Sequence, residues 1–256
     1  MLRVESEHDR FYGSIARYYS GIFPLNPAQL SFIENESGNP EGKNFLDVGC
    51  GSGELAFALA REGATVTAID LNDALLSEAR RNRDDGRITW RKANMLHIAR
   101  LFGRSRFDGV ICFGNTLVHL MNPMQMRDFF SGVRTVLKSD GLFFLQILNY
   151  DHIFQDKVDT LPTLENDEVR FDRKYRFNPG SREIRFNTKL TVKSTGEVID
   201  NETDLLGIGV KELLQLMDVA GLTGVRLFAD FKKIPFGGKH LPLVCVSNKA
   251  ADITVI

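Results

Sequence analysis

The chain has 256 residues, 43% of them hydrophobic and 25% charged, which fits a folded protein with an ample core. Its formal net charge is −1, so no global basic field draws it to nucleic acid, and no apolar run is long enough to span a bilayer. Met1 to Arg10 is charged and lacks the apolar centre of a signal peptide, and Cys50, Cys112 and Cys245 are not spaced as metal ligands. A cytoplasmic protein with reduced thiols and no metal is the expectation.

Residues 8–22 predict a helix with Phe11, Ile15 and Tyr19 on one stripe, and Asn26-Pro27 opens another short helix before a polar linker at 35–42. From Phe45 the pattern alternates between strands at 44–48, 65–69, 88–92 and 107–112 and helices at 53–62, 73–82 and 123–137. Gly63 is a helix stop, and Asn122-Pro123 is a cap followed by proline at the first helical position. A fifth strand, Gly141 to Leu148, is apolar except for Gln146, as a strand covered on both faces should be. Such βαβ alternation predicts a doubly wound, mostly parallel α/β sheet.

Residues 151–168, with Pro162, then read as an acidic loop. Period-two patterning follows at Val169, Phe171, Tyr175 and Phe177 and again at Ile184, Phe186, Leu190 and Val192, with turns at 178–181 and 194–197. That is an antiparallel meander inserted before a helix at 209–220 and two last strands near 223–230 and 241–247, which bring the main sheet to seven strands. The expected division is a helical cap at 1–43, an α/β cofactor-binding domain at 44–149 and 206–256, and an antiparallel lid at 150–205.

Chemistry concentrates after the first strand, in Leu46-Asp47-Val48-Gly49-Cys50-Gly51-Ser52-Gly53. Alternating glycines after a strand let backbone approach a ligand, and Asp70 ends the next strand where a ribose would lie. The spacing is G-x-G-x-G, not the G-x-G-x-x-G of dinucleotide sites, and Asp47 would repel a pyrophosphate while suiting an ammonium group. S-adenosylmethionine carries an ammonium and a ribose and no phosphate. The octet resembles the first motif of class I S-adenosylmethionine-dependent methyltransferases, whose fold is Rossmann-like. Phe107 to Leu120 and Leu142 to Ile153 look like the fourth- and fifth-strand segments of the glycine N-methyltransferase-like branch, which acts on small molecules.

The resemblance implies that Gly49, Cys50, Gly51 and Gly53 surround the methionine part, Asp47 meets its ammonium and Asp70 accepts from the ribose hydroxyls. It implies Leu71, Asn94 and Met95 around the adenine, Phe113, Gly114 and Asn115 near the ammonium, and Leu117 on the sulfonium side. Tyr12 and Tyr19 are candidates to close over the sulfonium by cation–π contact. Methyl transfer mainly needs alignment in a dry pocket, with a base only if the nucleophile arrives protonated. His119, following the fourth strand, is the nearest candidate base; a locally hydrogen-bonded turn histidine is the plainer account. Arg173 interrupts an apolar face and is a candidate carboxylate grip, against a snorkelling surface arginine, and Tyr150 is a second candidate substrate contact. Phe236 is a candidate wall of the substrate pocket, with packing under its loop the plainer account.

The expected function is S-adenosylmethionine-dependent methylation of a small molecule, with nitrogen favoured over oxygen or carbon. A non-catalytic S-adenosylmethionine-binding sensor or scaffold, or a methyltransferase acting on RNA or protein, are the alternatives. Neither nucleic acid nor membrane is an expected partner, and a homodimer is left open.

Overall fold

A computed structural model describes residues 7–251. Residues 1–6 of the expected cap and 252–256 of the expected α/β domain lie outside the described residues. Helix α1, Glu7–Ile15, passes through a 3-10 turn into α2, Tyr19–Ile22, so the single helix expected at 8–22 is broken at Ala16–Tyr18. Helix α3, Pro27–Ser37, starts where Asn26 accepts a hydrogen bond from the Ala28 N–H ahead of Pro27.

Strand and helix then alternate through β1 (Asn44–Val48), α4 (Glu54–Arg61), β2 (Thr65–Asp70), α5 (Asp73–Asn82) and β3 (Ile88–Lys92). Helix α6 (Ile98–Phe102), β4 (Phe107–Cys112), α7 (Pro123–Val136), β5 (Leu137–Leu148) and α8 (Tyr150–Gln155) follow. Strand β5 begins directly at the end of α7, earlier than the expected Gly141.

The insertion is a four-stranded antiparallel sheet, β6 (Thr160–Glu165), β7 (Val169–Phe177), β8 (Glu183–Val192) and β9 (Val198–Leu206). Its two outer strands are absent from the period-two reading for physical reasons. Strand β6 holds Pro162, which an edge strand tolerates where its register shifts between Leu161 and Leu164. Strand β9 is polar from Asp200 to Asp204, and its fully buried side chains are Thr203, Leu205 and Leu206, with Ile199 half-buried. Helix α9 (Val210–Val219) and strands β10 (Leu222–Phe228) and β11 (Pro242–Lys249) complete the chain.

The seven-stranded sheet has the order β10-β11-β5-β4-β1-β2-β3, and only β11 runs against its neighbours. Adjacent residues of β1 serve opposite faces: Phe45 packs with Phe32, Leu59 and Phe144, and Leu46 packs with Phe129, Phe130 and Phe143. The strand order reverses between β1 and β4, and crevices at such a switch, beyond the carboxyl ends of the strands, hold ligands in open α/β sheets. Phe11, Ile15 and Ile22 pack on Val169, Phe171 and Leu190, so the first helices join the second sheet over that end.

Candidate active site

After β1 the chain makes a tight loop in which Gly49, Gly51 and Gly53 have φ of +71°, +56° and +87°. A Cβ would run into Thr116 at Gly49, into Tyr19 at Gly51 and into Trp90 at Gly53. The glycines thus serve backbone handedness and close packing by three side chains, and of the three only Gly49 lines a cavity. The N–H groups of Gly49 and Cys50 both donate to the Ile69 carbonyl, at 2.8 and 3.0 Å, which fastens the loop to β2.

Asp70, at the end of β2, accepts from Gly51 N–H through Oδ2 and from Asn72 N–H through Oδ1, each at 2.9 Å. Leu71 N–H is a third backbone donor to this carboxylate, whose four lone-pair sites still leave capacity for a ligand hydroxyl. Burial pushes its pKa up to about 6, opposed by those backbone donors. Asp47 is 4% exposed and has no hydrogen-bond partner among the described residues. Burial, with the Asp70 and Glu54 carboxylates beside it, pushes its pKa up to about 7. Glu54 is already engaged by Arg83 at 2.6 Å.

Two cavities meet here. One of about 260 Å³ is lined by Ile69, Asp70, Leu71, Asn94, Met95 and His8. The other, of about 450 Å³, contains Asp47, Cys50, Phe113, Asn115, Arg173 and Tyr175. Tyr12, Tyr19, Gly49, Gly114 and His119 line both and form the neck between them. His119 Nε2 lies 2.8 Å from the Tyr12 hydroxyl, and the His8 ring stands edge-on to it at 5.0 Å. Enclosure by these rings pushes the His119 pKa down to about 3, with His8 contributing, so the imidazole is neutral near pH 7.

Several expected positions differ in role. Tyr150 is fully buried and lines neither cavity; its hydroxyl receives Asn115 Nδ2 at 2.9 Å, behind the wall. Leu117 is fully buried in the core and lines neither cavity. Gly51 and Gly53 face Tyr19 and Trp90 and line neither cavity. Asn94 lines the smaller cavity, and its Oδ1 accepts from Leu96 N–H at 2.8 Å, which uses one of its two lone pairs. Phe236 packs edge-on against His240 at 4.9 Å, outside both cavities. Arg173 points inward with Phe171 and Tyr175, its Nη2 donating to the Pro162 carbonyl at 2.7 Å.

Sequence reasoning missed Gln146, whose Oε1 accepts from Gly114 N–H at 2.8 Å and fixes the loop after β4. It was visible as the sole polar side chain in the run Leu142 to Leu148. His8 and Tyr175 carried no comparable signal.

Residues 45–141 match the family model described as "Methyltransferase domain". That match runs from β1 into β5, and the sheet order and glycine loop are those of the class I S-adenosylmethionine-dependent methyltransferase fold. S-adenosylmethionine is the cofactor of this class, and the two cavities, the unpartnered Asp47 carboxylate and the lone pairs of Asp70 fit its ammonium and ribose. Among relatives of the methyltransferase domain, a protein of Geobacillus sp. (strain WCH70) whose name gives it as a candidate methyltransferase is 36% identical over 167 residues, 61% of this chain and 65% of its own length. The ubiquinone biosynthesis O-methyltransferase of Actinobacillus pleuropneumoniae serotype 5b (strain L20) is 31% identical over 156 residues, 57% of this chain and 65% of its own. This chain therefore spans just under two thirds of the length of the curated relatives it matches. The CcbJ methyltransferase of Streptomyces caelestis shares the fold, with a TM-score of 0.79 at 20% identity, covering 97% of this chain and all of that one. Among the described residues no helix is long and apolar enough to cross a membrane, and no cluster could hold a metal ion.

Proposed function

We propose that the protein transfers a methyl group from S-adenosylmethionine to a nitrogen of a small-molecule acceptor in the cytoplasm. In this reading the nucleoside lies in the smaller cavity against Asp70, Leu71, Asn94 and Met95, and the methionine ammonium meets Asp47. The acceptor occupies the rest of the larger cavity under the inserted sheet, and residues 7–37 cap both. Bound S-adenosylmethionine would supply a methyl on cationic sulfur, so an amine lone pair forms the carbon–nitrogen bond as carbon–sulfur breaks, sulfur keeps the bonding pair, and nitrogen later sheds its proton to water.

The observation that carries the nitrogen assignment is the neck. His119 is neutral, and its pKa of about 3 makes it a weak base for stripping a hydroxyl, while Tyr12 beside it is held protonated by burial. A neutral amine needs neither, since a nitrogen lone pair attacks directly. His119 Nε2 and the Tyr12 hydroxyl can instead orient an acceptor N–H, and the Tyr12 and Tyr19 rings, 6.1 Å apart, can stabilise positive charge at the neck. Although ubiquinone biosynthesis O-methyltransferases from several bacteria are among the relatives, this neck supports an amine.

The test is incubation of the purified protein with S-adenosylmethionine and metabolite pools, measuring release of S-adenosylhomocysteine. Acceptor-dependent release with a methylated amine product is the expected result. Tight cofactor binding without release against any pool would leave a sensor or scaffold.

A further inference from the structure

Beyond the neck, the larger cavity is walled by rings from two separate parts of the chain. Tyr12 of the neck packs on Phe11 with ring centres 4.9 Å apart, Phe11 meets Phe186 of β8 at 5.7 Å, and Phe186 meets Tyr175 of β7 at 5.4 Å. Later in the cap, Phe23 stands edge-on to Phe171 at 5.9 Å. These side chains all line the cavity, and Phe23 and Phe186 are half-buried. A flat apolar guest would complete their burial, and offset or edge-to-face contact between rings adds to that gain.

The polar groups of the same lining are largely bonded within the protein. Asn115 Oδ1 accepts from Leu148 N–H at 3.0 Å while its Nδ2 donates to Tyr150. Gln146 Oε1 accepts from Gly114 N–H while its Nε2 donates to the Ile147 carbonyl at 3.0 Å, and the Arg173 guanidinium is turned to the Pro162 carbonyl. Arg173 Nε–H keeps no partner among the described residues, a single donor that the face of a ring can meet. A body rich in hydroxyls or bearing phosphate would bury more polar groups than this lining can answer, each losing its hydration.

The acceptor must also bring its nitrogen unprotonated, because among the described residues no base stands free at the neck. Enclosure keeps the His119 pKa at about 3, and burial holds that of Tyr175 up at about 12. Glu54 is engaged by Arg83, and in the methyl-transfer reading Asp47 faces the cofactor's ammonium. An alkylamine is an ammonium ion near pH 7 and would have to shed a proton inside this site. An amino group borne directly on an aromatic ring is unprotonated there, since its lone pair is delocalised into the ring.

We propose that the acceptor is an arylamine, an amino group on a flat uncharged aromatic body, with the nitrogen at the Tyr12–His119 neck and the ring against Phe11, Phe171 and Phe186. The proposal rests on the methyl-transfer reading above for where the nitrogen lies. The nitrogen lone pair takes the methyl as carbon–sulfur breaks and sulfur keeps the bonding pair. The arylammonium so formed is acidic enough to give its proton to water, so the step closes without a protein base.

The experiment uses the full chain, saturated with S-adenosylhomocysteine for binding and supplied with S-adenosylmethionine for turnover. The probes are 4-ethylaniline and indan-5-amine, each beside its ring-saturated counterpart, with 4-ethylbenzylamine, glucosamine and glycine as further arms. At least one arylamine should bind about tenfold or more tightly than its saturated counterpart and than glucosamine or glycine. At pH 7 it should also be N-methylated about tenfold or more faster than 4-ethylbenzylamine, which keeps the ring but arrives protonated. Phe171→Leu and Phe186→Leu should each cut the aromatic preference about two- to tenfold, the scale of one aromatic pair, with the S-adenosylhomocysteine Kd within a few-fold. The comparison of probes on the unaltered protein decides the matter should either variant misfold. The proposal is overturned if glucosamine or glycine binds best, if a saturated ring matches the aromatic one, if the benzylamine is methylated faster, or if both leucine variants keep the full preference. Failure of S-adenosylhomocysteine to bind the unaltered protein would sink the methyl-transfer reading itself, whereas bound S-adenosylhomocysteine without an arylamine preference sinks the acceptor alone.

Discussion

The Tyr12 hydroxyl and His119 Nε2 lie 2.8 Å apart although 107 residues separate them, and this pair joins the first helix to the loop after β4 at the meeting of two cavities. The contact ties the first helix to the neck, where the proposed reading has the methyl group pass. It also fixes what His119 can do: enclosed and neutral, it accepts or donates a hydrogen bond and does not take up a second proton near neutral pH.

A positioning role and a base role for His119 predict different kinetics. With a folded pKa of about 3, His119 should put no limb in the kcat profile between about pH 5 and 9. His119→Gln and Tyr12→Phe should each lower kcat about two- to tenfold, the scale of one hydrogen bond, and leave the profile's shape unchanged. A drop of about a hundredfold or more, with loss of a limb near pH 6–7, would make His119 a general base after all.

Asp70 offers a direct check on the nucleoside end. Asp70→Ala removes charge-assisted hydrogen bonds worth about 1.5–3 kcal/mol, so S-adenosylhomocysteine affinity should fall about tenfold to a hundredfold. Calorimetry on the folded variant measures it, and an unchanged Kd would place the ribose elsewhere.

The two buried carboxylates also make cofactor affinity depend on pH. Asp47 and Asp70 have folded pKa values of about 7 and about 6, both above the unfolded carboxylate value. Each therefore favours the folded, ligand-free protein below the unfolded value, and that stability is lost as pH rises through 6 to 7. His119 works oppositely, its depressed pKa adding stability above about 6.5 that is lost as pH falls toward 3, so the melting curve of the free protein mixes the two. Cofactor binding separates them, because its ammonium and ribose require the ionised carboxylates. S-adenosylhomocysteine affinity should rise about tenfold or more between pH 5.5 and 8, and Asp47→Asn should flatten most of the rise. A Kd independent of pH in the unaltered protein would mean that neither carboxylate meets the ligand.

How far the sequence could be read divides along physical lines. The βαβ half was legible because both faces of β1, β4 and β5 are buried, and continuous apolar runs between caps and glycines leave few alternatives. Asp47, the glycine loop and Asp70 were legible because their spacing follows from the strand ends they occupy. Strands β6 and β9 were not, since one carries a proline at an edge and the other is polar from Asp200 to Asp204. Tyr150 and Leu117 lie beside the site in sequence, yet helix and turn geometry aims both into the core. The contact of Phe11 with Phe186 depends on how the cap packs on the inserted sheet, which alternation within one strand does not reveal.

The last prediction uses the protein's own reporter. Gly53 has φ of +87° and stands against Trp90, the only tryptophan in the chain. A methyl at this position meets the indole and must also hold a left-handed backbone, costing about 1–2 kcal/mol for the backbone and about 1–3 kcal/mol for overpacking. Gly53→Ala should therefore lower unfolding stability by about 2–5 kcal/mol, followed in urea by Trp90 emission. Gly42→Ala is the control: its φ of +72° is similar, but nothing lies within 4 Å of where its Cβ would stand, so only the backbone cost of about 1–2 kcal/mol should remain. Because the strained turn also carries Gly51 and its hydrogen bond to Asp70, Gly53→Ala should weaken S-adenosylhomocysteine binding while Gly42→Ala leaves it intact. Equal losses of stability in the two variants would mean that Trp90 yields freely, and that the third glycine answers only to backbone handedness.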